Sequence, residues 1–185
     1  MKELSLHILD IVQNSVSAGA TLVTVTVEED RGGNLLTIRI GDNGRGMSPE
    51  FLKKVIDPFV TTRTTRKVGM GIPLFKEASE ECGGSFTIQS ALGKGTEVTA
   101  TFQYDHIDRQ PLGDMAETVA TLVSGSPLVD FVYTHKKDGS EFVMDTRQIR
   151  EVLGTEVPLD SPEVVVWLKE YVQEGLDEIC GGVFE

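Results

Sequence analysis

Apolar residues recur at helical spacing from Glu3 to Ser17, where Ile8, Ile11, Val12 and Ser15 share one face. Asp10, Asn14 and Ser17, spaced i, i+4 and i+7, share another. The period then drops to two: Leu22–Glu28 (LVTVTVE) and Leu35–Ile40 (LLTIRI) are β-branched runs joined by Asp30-Arg31-Gly32-Gly33-Asn34, the pattern of an antiparallel hairpin. Ser48, Pro49 and Glu50 predict a capped helix running to about Ile56. A longer helix is expected over Ile72–Cys82, with Pro73 in its first turn and Gly83-Gly84 stopping it. Ser85–Ser90 and Glu97–Phe102 then read as two more strands. Residues 57–71 (DPFVTTRTTRKVGMG) carry no period, and a loop of this length in a compact domain is usually a binding element.

Beyond Tyr104 the polar stretch 105–111 (DHIDRQP) reads as a linker. A helix at Met115–Ser124 follows, then a hairpin of Leu128–His135 and Glu141–Asp145, and helices at Thr146–Leu153 and Glu163–Ile179. The pattern predicts an α+β chain in two units. Residues 1–104 form a two-layer α/β sandwich with helices on one face of a largely antiparallel sheet, and residues 105–185 a small αββα unit.

Charge separates the same two units. Of 17 basic and 29 acidic side chains, residues 1–104 hold 11 and 12, whereas residues 105–185 hold 6 and 17. The overall charge of −12 argues against a general nucleic-acid binder. No run approaches the roughly 20 apolar residues of a membrane span, and MKELSLHILD has acids where a signal peptide has its apolar core, so a soluble, cytoplasmic protein is expected. Cys82 and Cys180 form no CxxC pair, which argues against a disulfide scaffold and a cysteine zinc site.

Three glycine-rich segments stand out: Asp42-Asn43-Gly44-Arg45-Gly46-Met47, Gly69-Met70-Gly71, and Gly93-Lys94-Gly95-Thr96. No GxxxxGK[ST] occurs, which excludes a P-loop. In this order, behind a helix bearing Asp10 and Asn14, the segments resemble the GHKL ATP-binding domain of gyrases, heat-shock chaperones, histidine kinases and mismatch-repair ATPases, whose fold is the Bergerat sandwich. The resemblance covers roughly residues 1–104. It implies ATP and Mg²⁺ as cofactors, with Asn14 as metal ligand through its amide oxygen and Asp10 as the catalytic base one turn earlier. Asp42 would accept a hydrogen bond from the adenine amine, which favours ATP over GTP. Gly44 and Gly46 would let backbone approach the base, with Met47 packed on its ring. The stretch Gly69, Met70 and Gly71 would wrap the phosphates at a helix start. Arg63 and Lys67, with Arg66, would come from an ATP lid at Val60–Lys67, and the Thr96 hydroxyl would support Asp42 directly or through water.

Hydrolysing branches of that family carry Glu where this chain has Asp10, and the side chain is shorter by about 1.5 Å. A misplacement of about 1 Å costs on the order of 100-fold in rate, so slow hydrolysis is expected. His7, His106 and His135 show no phosphoacceptor motif. Two classes of function therefore stay open: a kinase or ATPase acting in signalling, and a non-hydrolysing ATP-dependent switch that captures a protein, in the manner of anti-sigma-factor modules. A protein partner is expected through the acidic unit, and a homodimer is left open.

Overall fold

The computed structural model describes residues 3–57 and 71–181. Its helices are α1 (Leu4–Ser17), α2 (Pro49–Ile56), α3 (Gly71–Glu81), α4 (Met115–Gly125), α5 (Thr146–Leu153) and α6 (Pro162–Ile179). Its strands are β1 (Leu22–Asp30), β2 (Leu35–Asp42), β3 (Phe86–Ala91), β4 (Gly95–Gln103), β5 (Asp130–Lys137) and β6 (Ser140–Asp145). Side chains at turn positions fix several helix starts. Ser48 Oγ accepts the Phe51 amide at 3.2 Å, Asp114 accepts that of Glu117 at 2.9 Å, and Asp145 accepts that of Arg147 at 2.9 Å.

The described strands form one sheet in the order β3-β4-β2-β1-β5-β6, antiparallel throughout except for β1 and β5, which run parallel. On β1, Val23, Val25 and Val27 are buried while Thr24 and Glu28 are exposed, so one sheet face is covered and the other is open. The covering layer is helical: α1 touches β2, α3 and α4, and α4 in turn touches β5 and α6. This is the two-layer α/β sandwich that the periodicity predicts.

The boundary near Tyr104 looks different in three dimensions from its appearance in the sequence. Strands β5 and β6 of the acidic half extend the sheet across β1, and one core unites Ile8, Val25 and Ile38 with Val119, Tyr133 and Leu168. The polar stretch is also tied down. The amides of Leu4 and Ser5 donate to the carbonyls of Pro111 and Leu112 at 2.9 and 2.8 Å, which serve the open end of α1, where Glu3 makes no side-chain cap bond. Arg109 lies over the Tyr104 ring at 4.8 Å and donates to the Tyr104 carbonyl. Composition marks a change of charge here, and the packing runs through it.

A polar cluster is built across β1 and β5. Glu29 Oε2 lies 2.5 Å from His135 Nε2, His135 Nδ1 lies 2.5 Å from Tyr133 Oη, and Tyr104 Oη donates to Glu29 Oε1 at 3.1 Å. His135 thus bridges the carboxylate and the phenol through its two ring nitrogens. Burial pushes the Glu29 carboxyl up, but the hydrogen bond and charge of His135, with help from Lys137 and Tyr104, outweigh it and hold Glu29 below its ordinary range.

Candidate functional site

The largest described cavity, about 810 Å³, opens where α1, the β2 end, the following loop, α2 and the β3–β4 turn meet. That volume suits a nucleotide-sized molecule. Its wall begins with α1, whose inward face is apolar at Ile11, followed by Asn14, Ser15 and Ala18. Ile40 and Val98 of the sheet form an apolar floor, with Ile72 of α3 and Phe51 of α2 opposite.

Asp42 stands at the rim of that floor, and both its oxygens are held. Ser15 Oγ donates to Oδ2 at 2.6 Å, and the Gly44 amide donates to Oδ1 at 2.8 Å. These bonds fix the carboxylate while leaving lone pairs for a donor in the cleft. The loop after Asp42 is pinned from both sides. Asn43 Oδ1 accepts the amides of Thr21 and Leu22 at 2.8 and 3.0 Å, and the Arg45 amide donates to Ala18 O at 2.9 Å.

Two glycines are required by fit. Gly46 has φ of 73° and Gly95 has φ of 94°, and a Cβ at either would overlap backbone, at Ala91 for the first and at Asp42 for the second. The two turns therefore pack backbone on backbone, reinforced by the Gly93 amide donating to Arg45 O at 2.7 Å. Gly44 lies equally close to Ala18 and Asp42. Met47 lines the cleft, and its amide donates to Ser90 Oγ at 2.8 Å.

Of the two routes expected from Thr96 to Asp42, direct or through water, the direct bond is not formed among the described residues. Thr96 sits opposite Asp42 in the β2–β4 register and lines the cleft, but its hydroxyl meets Ser90 Oγ at 2.8 Å instead of Asp42. Thr96 meets Ser90, which also accepts the Met47 amide, and the hydroxyl that bonds Asp42 directly belongs to Ser15. Ser15 and Ser90 are site residues that the sequence reading missed, as is Arg45, which lines the cleft and pairs with no carboxylate among the described residues. The position of Ser15, one residue after Asn14 on a helix predicted to face the sheet, was the available signal.

Asn14 projects into the cleft wall, and its buried Nδ2 has no partner among the described residues. A buried polar group in this state is costly unless a ligand or water meets it. Asp10 lies one turn earlier, half-buried, and burial raises its carboxyl above the ordinary range. Both face the start of α3: a Cβ on Gly71 would lie 3.4 Å from Asp10 Cβ and 3.8 Å from Asn14 Nδ2. The structure thus brings Asp10, Asn14, Asp42, Gly44, Gly46, Met47, Gly71 and Thr96 around one region. Arg63, Lys67, Gly69 and Met70 lie outside the described residues.

A family model described as "Histidine kinase-, DNA gyrase B-, and HSP90-like ATPase" matches residues 2–106. Among curated relatives, a sensor protein of Shewanella frigidimarina is 33% identical over 97 residues, covering 51% of this chain and 15% of the relative. Sensor protein SrrB of Staphylococcus aureus is 40% identical over 79 residues, covering 40% of this chain and 13% of SrrB. The chain therefore spans well under a fifth of the length of these relatives. A solved N-terminal domain of a DNA repair protein superposes with a TM-score of 0.53 at 14% identity, covering 84% of this chain and 58% of that one, a likeness of fold.

Proposed function

Because the chain belongs to the histidine kinase-, DNA gyrase B- and HSP90-like ATPase family, we propose that its cleft binds Mg·ATP and that the protein uses it in signalling or regulation. The observation that carries this reading is the Asp42 carboxylate, fixed by Ser15 and Gly44 at the rim of an apolar floor. An adenine amine donating to Asp42 would place its ring over Ile40 and Val98, beside Met47. Asn14 suits the magnesium role, since it lines the cleft and its amide oxygen is a hard ligand. Bound Mg²⁺ would offset phosphate charge, and an ion held by one side chain and the phosphates needs no protein cage. The first turn of α3 offers backbone N–H groups to the phosphates, and Arg45 adds a cation. Asp10, Arg63, Lys67, Gly69, Met70 and Gly71 complete the proposed phosphate end.

Turnover is expected to be slow, by hydrolysis or by phosphotransfer to a protein, because Asp10 is short of reach. The same shortness supports the second reading, in which ATP orders the site without being cleaved and a partner binds the acidic half. The cytoplasm is the proposed location; among the described residues no helix is long and apolar enough to cross a membrane. Calorimetry with Mg·ATP tests the cleft. Asp42→Asn, which sets an amide donor against the adenine amine, should lower affinity on the order of 100-fold. Unchanged affinity would remove the adenine assignment. γ-Labelled ATP then separates release of phosphate, transfer to protein, and binding alone.

A further inference from the structure

A second cavity, about 670 Å³, lies between α5 and α6 and shares no lining residue with the cleft. Helix α5 is strongly amphipathic, yet of its residues only Thr146 is buried; Ile149 and Leu153 are half-covered and Val152 is 86% exposed. Opposite, α6 buries Val164, Leu168, Val172, Gly175 and Ile179 toward the core and turns Trp167 and Tyr171 outward, 46% and 37% exposed. These two rings stack 5.1 Å apart at 11°, and Tyr171 meets Phe142 edge-on at 5.5 Å. Phe142 lies where a Cβ on Gly175 would overlap its ring, so this small residue lets the aromatic ladder settle against the helix. The groove is thus apolar, aromatic and held in shape, with no segment of the described chain covering it.

The segment that forms it is acidic. Residues 146–181 hold eight acids, Glu163 at the groove itself among them, against Arg147, Arg150 and Lys169. All three bases are already engaged, with Asp145, Asp130 and Glu117 respectively, whereas none of the eight acids pairs with a base among the described residues. An apolar groove with an unneutralised acidic surround attracts a segment that carries both features reversed.

We propose that the α5–α6 groove is a docking site for a basic amphipathic helix of a partner protein, whose apolar side covers Trp167, Tyr171 and Val152 while its Lys and Arg residues meet the surrounding acids. The proposal deepens the reading that the acidic half meets a protein, and it does not depend on ATP binding. A second copy of this chain, with its net charge of −12, is electrostatically the wrong occupant.

Trp167 is the only tryptophan, so its emission reports on the groove in the intact chain. The probe is a Leu/Lys helical peptide of about 18 residues, long enough to hold a helix, with Leu at i, i+3, i+4 and i+7. Saturable change in emission is expected, weakening about tenfold in high salt. The same peptide with Glu in place of Lys should not bind. Val152→Lys, which adds a charge in the groove without burying anything, should weaken binding on the order of tenfold. Ile107→Lys, at a 94% exposed position outside the groove, should change it less than about twofold. If a scrambled Leu/Lys peptide binds as well, or both variants weaken binding equally, general charge attraction is responsible and the groove proposal falls while an acidic partner surface stands. Failure of both basic peptides to bind overturns the groove and the partner surface together. Binding of the Glu peptide, or emission that changes with protein concentration alone, assigns the groove to another occupant and overturns the proposal.

Discussion

The β1–β2 ribbon carries a polar cluster at each end, and the two are built on opposite terms. Around Glu29 the groups are paired with one another: carboxylate to imidazole, imidazole to Tyr133, second oxygen to Tyr104. Around Asp42 the pairing stops short. Asp42 is oriented, but Asn14 Nδ2 and the Arg45 guanidinium face a cavity with no partner among the described residues. The first arrangement contributes to folding; the second leaves polar groups without partners among the described residues.

Removing a group from each end should therefore produce opposite readouts. The largest effect belongs to Glu29→Ala, which leaves His135 and Tyr133 facing an uncompensated buried site and should cost about 3–5 kcal/mol in urea unfolding. Asn14→Ala should leave stability within about 1 kcal/mol while weakening ATP about tenfold with Mg²⁺ present and much less with EDTA. Equal loss in both buffers would remove the metal role, and a large stability loss would erase the contrast between the clusters.

Acid should act on the paired end. Glu29 has its carboxyl held below 4.5, so the stability it contributes is fully present above about that pH and lost as pH falls through the lower folded value. A Glu29→Gln chain should lose that part of its acid sensitivity, measured by thermal unfolding across the same window. The smallest effect expected is from Ser15→Ala, which frees one oxygen of Asp42. A loss of about 1 kcal/mol in ATP affinity, with the adenine preference retained, would identify Ser15 as a positioning residue. Loss of affinity for phosphate-only ligands as well would indicate a wider collapse of the site.

Local chemistry explains what could be read in advance. Asp42, Gly44 and Gly46 were legible together as one glycine-rich segment; Gly46 is glycine because its φ is positive, and Gly44 because a Cβ there would crowd Ala18. The helical spacing of α1 was equally plain, and it set Asp10 and Asn14 on one face of the helix. Ser15 escaped because its bond to Asp42 spans 27 positions, and helical periodicity assigns a small buried polar residue to the core. Thr96 lies opposite Asp42 in the sheet register, but its direct hydroxyl contact is Ser90, because two hydroxyls within reach compete and register alone does not say which is nearer. The polar stretch after Tyr104 read as a divider because its composition is that of a linker, while strand identity says nothing about which neighbour a strand will choose.

The parallel pairing of β1 with β5 bears on how the chain is made. Leu22 waits for Asp130, more than a hundred residues later, and at about 5–20 residues per second this is an interval on the order of 5–20 s during synthesis. Throughout it the outer edge of β1 is an open template with valines on one face. The late, acidic half of the chain thus closes the edge from which its own early half would otherwise aggregate.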